Sequence, residues 1–185
     1  MKMDCFETKI EDNVLYIYNI TPENSDLSFI EKMNNITSLY IKGEYLDHFT
    51  IPKNIKDLHI DYLGLKSIII PDGIKNVYCS RNFLRTIEIP SSLQTLVANK
   101  NLLHEITFRS KHNNQLEFLD IRSNKMTKLD FEIPESMDYF NASMNNIMYI
   151  APKIKNYLSL QYIQAESSSS SSEDENWFYS YSSSI

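Results

Sequence analysis

Apolar positions recur along this chain in one short phrase. It reads Ile36-x-x-Leu39-x-Ile41, Ile55-x-x-Leu58-x-Ile60, Ile74-x-x-Val77-x-Cys79, Leu93-x-x-Leu96-x-Ala98, Leu116-x-x-Leu119-x-Ile121 and Met137-x-x-Phe140-x-Ala142. The six starts lie 19, 19, 19, 23 and 21 residues apart, and four of them follow a proline by three residues: Pro52, Pro71, Pro90 and Pro134. A second half follows each, as in Asn82-x-Leu84-x-x-Ile87-x-Ile89-Pro90. The longer copies add residues in the same segment, Arg109–Gln115 in the fourth and two residues before Ile133-Pro134 in the fifth, which marks a loop on one face.

One such unit cannot bury its own apolar residues. Stacking the units brings the Leu/Ile columns into a continuous core and pairs each short strand with the next. Nineteen residues leave about ten for the return path, too few for two turns and a full helix, so extended or 3-10 segments are expected there. The prolines then set φ where no ladder donor is needed.

The phrase LxxLxLxxNxL resembles the leucine-rich repeat, and the form IPxxIxxLxxxxNxLxxIxIP is similar to the short class found in some bacterial effectors and in large-DNA-virus proteins. The resemblance covers residues 36–152, with a degenerate seventh unit starting at Ile154. It implies a leucine-rich-repeat solenoid, mostly β, with a parallel concave sheet of about six or seven short strands and an extended or 3-10 convex side. It further implies that Asn82, Asn101, Asn124 and Asn145, which share one slot, form a ladder of buried amides bonded to backbone groups of their own and neighbouring turns. Glu44 and Leu63 depart from that slot, so the ladder is expected to be weaker at the N-terminal end.

Solenoid ends need covers. Val14–Ile20 reads as a strand, hairpinned with Phe6–Ile10 through Glu11-Asp-Asn13. Asp26–Met33 reads as a short helix burying Leu27 and Ile30, with Ser25 or Asp26 as N-cap. Residues 1–35 are therefore assigned to an N-terminal cap, 36–163 to the repeats and 164–185 to a tail. The tail holds Ser167–Ser172, the acidic run Glu173-Asp-Glu175 and the cluster Trp177-Phe-Tyr-Ser-Tyr181. Its serine run has no apolar surface to offset ordering, so it is expected to be disordered. Ser170, Ser171 and Ser172, just ahead of the acids, suit phosphorylation by an acidic-directed kinase.

Strand alternation sends the residues between the named apolar ones onto the sheet face. One column is Ser38, Asp57, Asn76, Thr95, Phe118, Tyr139, the next Tyr40, His59, Tyr78, Val97, Asp120, Asn141, and the third Lys42, Asp61, Ser80, Asn99, Arg122, Ser143. Aromatics on a regular face suit protein binding, although neighbouring rings also stack along a sheet and stiffen it. The candidate contact residues are Tyr40, Asp57, His59, Tyr78, Val97, Phe118, Asp120, Arg122, Tyr139 and Asn141. Asp57, His59 and Asp61 lie at i, i+2, i+4, about 6.5–7 Å apart along one strand. A polar patch is expected there, and no metal site.

Composition removes other classes. Apolar residues make up 42% of the chain, enough for a core, while three glycines leave no phosphate-cradling loop. A net charge of −6 offers no basic face to nucleic acid or acidic lipid. The N-terminus has no signal-peptide core, and no window approaches the roughly 18 apolar residues of a spanning helix. A cytoplasmic chain is expected, with a host cell or virion as the alternative if the Ile, Asn, Lys and Tyr richness reflects an AT-rich viral or intracellular-microbe genome. Cys5 and Cys79 make no disulfide framework, and Cys79 reads as a small buried residue. His104-Glu-Ile-Thr-Phe108 begins like HExxH but puts Phe where the second ligand would stand. No nucleophile elbow occurs either. No catalytic residue, cofactor or metal is assigned. The expected role is a non-enzymatic protein–protein interaction module, monomeric, with a protein partner on the concave face. The alternatives are an assembly protein that self-associates, or a recognition subunit for an enzyme supplied in trans.

Overall fold

The computed structural model describes residues 6–46, 49–110 and 114–158. The sites at Ser170, Ser171 and Ser172, and the boundary placed at 163/164, lie outside them. The chain opens with a hairpin of β1 (Glu7–Glu11) and β2 (Val14–Ile20), whose two-residue loop has φ of 44° at Asp12 and 66° at Asn13. Two positive φ values make the type I′ turn that matches strand twist, and Asp and Asn tolerate it well. Strands β3 (Ser38–Gly43), β4 (Asp57–His59), β5 (Asn76–Tyr78), β6 (Thr86–Ile89), β7 (Thr95–Val97), β8 (Glu105–Phe108), β9 (Phe118–Asp120), β10 (Lys128–Leu129), β11 (Tyr139–Asn141) and β12 (Tyr149–Ile150) follow.

They form a mostly-β solenoid. The main sheet has eight strands in the order β1-β2-β3-β4-β5-β7-β9-β11, with only the β1–β2 pair antiparallel. Its register runs Ser38↔Asp57↔Asn76↔Thr95↔Phe118↔Tyr139, the pairing that the repeat spacing predicts. The hairpin extends this register, since Leu15 pairs with Leu39 and Ile17 with Ile41.

Behind the sheet lies one column of apolar residues per repeat position. Ile36, Ile55, Ile74, Leu93 and Leu116 are completely buried, as are Leu39, Leu58, Val77, Leu96 and Leu119. Each such Leu or Ile gains about 1.5–3 kcal/mol on leaving water, and no single turn could enclose it. Cys79 occupies a core slot as a free thiol, and burial pushes its pKa well up. It is a packing residue.

The prolines ahead of β4, β7 and β11 start tight turns. Pro52, Pro90 and Pro134 carbonyls accept from Ile55, Leu93 and Met137 N–H groups, each at 3.1 Å. At the opposite corner of turns two to six the residue before the Asn slot is left-handed: Tyr62, Arg81, Lys100, Ser123 and Met144 have φ between 55° and 62°. None is a glycine, and at about 1–2 kcal/mol each this conformation persists only because the neighbouring turns hold it. The return path is extended as expected, and in two places it pairs as well, β6 with β8 and β10 with β12, both parallel.

Two elements differ from the sequence expectation. The segment after β2 forms two 3-10 turns, Pro22–Asn24 and Ser28–Lys32, and Leu27 rather than Ser25 or Asp26 stands at the N-cap position of the second. Asp26 Oδ1 accepts from Ser28 N–H at 3.0 Å, which lowers the Asp26 pKa and delays the helical turn to the next residue. Residues 152–158 are a helix, not the start of a seventh repeat. Ile154, Tyr157 and Leu158 follow i, i+3, i+4 spacing, which suits one helical face. Ile154 is fully buried, and Tyr157 OH donates to Met137 O at 3.0 Å.

Arg109, the first residue of the longest insertion, ties back across earlier turns. Its guanidinium meets Asp72 at 2.7 Å, Glu88 at 3.0 Å and the Ile70 carbonyl at 3.0 Å.

Candidate binding face

The outward residues of the eight-stranded sheet arrange themselves by chemistry. In the middle column rings stack from rung to rung: Tyr16 to Tyr40 at 5.1 Å, Tyr40 to His59 at 3.9 Å and His59 to Tyr78 at 4.2 Å. The last two pairs lie within 11° of parallel. In-register parallel strands place equivalent side chains one strand spacing apart, about 4.8 Å, which is close to ring-stacking distance. Val97 follows, half-buried, where a smaller residue ends the stack. A second stack forms one column over, Phe118 to Tyr139 at 4.2 Å.

The polar residues are tied down. Asp57 accepts from the Ser38 hydroxyl at 3.0 Å and from the Asn76 amide, and Asp61 accepts from Ser80 N–H. Asp120 and Asn141, expected as contact residues, are only 2% and 7% exposed. Their position on the face is as expected, but their side chains are turned to neighbours. Asp120 takes Asn99 Nδ2 at 2.9 Å, Arg122 Nε at 3.1 Å and Arg122 N–H, while Asn141 accepts from Ser143 N–H and donates to Tyr139 OH. Those bonds brace the sheet. What remains open to a partner is Tyr139, Arg122 and the half-buried Tyr40, Asp57, His59, Tyr78, Val97 and Phe118.

Asp57, His59 and Asp61 do not converge. Each carboxylate serves its own neighbours and the imidazole lies between two rings, and among the described residues no three His, Cys, Asp or Glu side chains gather as a metal requires.

Beneath the corner beside this face runs the asparagine ladder. Asn82, Asn101 and Asn124 are buried and Asn145 is half-buried. Every one donates to carbonyls of its own turn and of the preceding one, Asn101 to Ala98 O and Cys79 O at 3.0 Å each, Asn124 to Ile121 O at 2.9 Å and Ala98 O at 3.1 Å. The Oδ1 atoms accept from the preceding turn: Leu63 N for Asn82, Leu84 N for Asn101, Leu103 N for Asn124 and Met126 N for Asn145. In the second turn Leu63, fully buried, fills the slot without bonding of this kind.

His59 yields a pH prediction. Desolvation lowers its pKa, against an upward pull from Asp61 and Asp57. The unfolded chain therefore binds the proton at a higher pH than the folded one. Stability is complete above the ordinary histidine value of about 6.5 and falls as the pH drops below it, down to the lowered folded pKa. His59→Phe keeps a ring in the stack and removes the proton. Urea unfolding at pH 7.5 and 5.5 should show a smaller loss on acidification in H59F than in the parent, and equal losses would refute the stacked-neutral assignment.

A solenoid of parallel β-turns carrying an aromatic and polar sheet face is the class this geometry defines. No protein-family model, curated protein or solved structure matches the chain. Among the described residues, no helix is long and apolar enough to cross a membrane.

Proposed function

We propose that this chain is a leucine-rich-repeat protein whose eight-stranded sheet is a concave, non-catalytic face for another protein. The observation that carries the reading is the ring column Tyr16-Tyr40-His59-Tyr78 with the Phe118–Tyr139 pair beside it. Rings already held by their neighbours offer contact area at little further entropy cost, the property that makes aromatics binding anchors. The ladder of amides and the repeat phrase support the family reading. On it, the N-terminal hairpin with its 3-10 turns and the helix 152–158 serve as caps. The non-catalytic reading rests on the tied carboxylates and the sandwiched imidazole, which leave no acid–base pair poised on the face.

Stacked rings support one another, so alanine substitutions there confound binding with folding. Val97→Arg adds a charge at the end of the stack without removing a ring. An affinity capture comparing the parent with V97R and with a Phe118→Ala/Tyr139→Ala variant, each with unchanged circular dichroism, should show the same partner lost from both variants. Capture indifferent to all three substitutions removes this face from the role.

A second reading, assembly into a larger particle, is favoured by a different observation. Met144, Met148 and Tyr149, near the C-terminal end of the described chain, are 76%, 85% and 52% exposed. Sedimentation across a concentration range separates the two, since self-association abolished by Met148→Glu supports assembly.

A further inference from the structure

On the side away from the main sheet, among the described residues, β8 is paired only with β6 and β10 only with β12. The two successive turns are still joined just before this point, where Lys125 N donates to Leu103 O at 2.9 Å. Beyond it the Glu105–Phe108 and Lys128–Leu129 backbones share no hydrogen bond among the described residues. The fourth turn carries the longest insertion, Arg109–Gln115, directly after β8, and this is where the back ladder parts. A groove of about 700 Å³ opens there, within the size range of clefts that hold ligands.

Three features of this groove select for a polypeptide. An open strand edge presents N–H and C=O groups that only another backbone matches in series. The walls include Ile106, Phe108, Met126 and Phe131, with the Phe108 and Phe131 rings 5.6 Å apart and tilted, which suits aromatic or aliphatic side chains. Asn114, also lining it, donates to Ser110 O at 2.8 Å, while its Oδ1 is buried and accepts from no donor among the described residues. A buried acceptor left unmatched costs about 1–3 kcal/mol, so an arriving N–H would be favoured there.

We propose that the groove receives the chain's own segment Trp177–Tyr181, laid extended along the open edge of β8 with its rings against Phe108 and Phe131. The segment Trp177-Phe-Tyr-Ser-Tyr181 is the densest run of strand-forming aromatics in the sequence. The helix 152–158 begins at the groove, where Pro152 and Lys153 form part of its wall, and its far end at Leu158 lies about 9 Å along the helix axis from there. Eighteen residues separate Leu158 from Trp177, a reach of up to about 60 Å when extended. A tether of this kind holds the segment at an effective concentration near millimolar, so modest pairing is enough to dock it. The consequence is a self-contact on the back of the solenoid, independent of the partner face proposed above. Displacing it would expose an edge and an aromatic peptide together.

The test uses the full chain and its single tryptophan, Trp177. Docking predicts emission shifted to the blue of the urea-unfolded chain, and acrylamide quenching several-fold weaker than in urea, both independent of protein concentration. Thr107→Arg obstructs the open strand from an exposed position in the groove, and Asn114→Leu removes the buried acceptor. Either variant, with far-UV circular dichroism unchanged, should bring Trp177 quenching up towards the unfolded level. The proposal is overturned if Trp177 in the parent is quenched as freely as in urea. It is equally overturned if shielding survives the folded variants, which places the ring elsewhere, or if shielding grows with concentration, which assigns it to a second copy.

Discussion

Asn101→Ala should lower the unfolding free energy by about 4 kcal/mol, near the upper end for one substitution. The carboxamide donates to Cys79, Ala98 and Asn99 carbonyls and accepts from Leu84 N–H, all in or beside a water-excluding corner. Alanine removes every one of these partners at once, and each buried group left unmatched costs about 1–3 kcal/mol. Asn101→Asp should do no better, because it keeps the acceptor, loses the donors and buries a charge. Asn145→Ala, at a half-buried position, should cost about half as much because water can replace part of the bonding. Urea unfolding of the three variants measures the difference. The Leu63 slot sharpens the test: leucine is accommodated there with complete burial. If Asn101→Leu proves as stable as the parent, apolar filling holds this corner and the ladder is dispensable.

The second large effect is expected at Gly43→Ala. Where β2 meets β3 the register slips between Ile17 and Ile20, Asn19 is left-handed at φ 62°, and Ile20 folds in against Gly43. A methyl carbon at Gly43 would lie 2.6 Å from Ile20 N, 2.7 Å from Ile20 Cβ and closer still to its carbonyl oxygen. Backbone atoms cannot rotate aside as a side chain would, so β2 has to back away and take its hairpin with it. A loss of about 3 kcal/mol is expected, in the range of severe overpacking. Amide exchange in Glu7–Glu11 and Val14–Ile20 should quicken more than elsewhere. Unchanged exchange in the hairpin would mean that β2 can sit farther from β3 without loss.

The rungs were legible because burial demands periodicity: Leu39, Leu58, Val77, Leu96 and Leu119 must face inward together, and their spacing alone yields the observed register. The asparagines were legible because one residue type returns to one slot. Other features left no such mark. The left-handed corner holds Tyr62, Arg81, Lys100, Ser123 and Met144, which share no chemistry, since backbone geometry and not side-chain type defines that position. Val14–Ile20 reads as part of a cap, while its register with Ser38–Gly43 is hidden by a longer spacing and a missing asparagine. On the face itself, columns could be assigned by alternation, but which members stay open could not. Asp120 and Asn141 are covered by bonds to Asn99, Arg122, Ser143 and Tyr139, and those partners are known only once the strands are side by side.

The parting of β8 from β10 also bears on how the chain comes apart. In a stacked array, cooperativity passes only between adjacent turns, so its weakest interface decides where a partly unfolded species begins. Turns three and four are joined on both sides, through β5 with β7 and through β6 with β8, as are the turns that carry β9 with β11 and β10 with β12. Between these blocks, among the described residues, only the β7–β9 side carries paired strands. Under mechanical load the two doubly paired blocks would stay whole, while the joints that, among the described residues, carry paired strands on the main sheet alone, β3–β4, β4–β5 and β7–β9, would give way first.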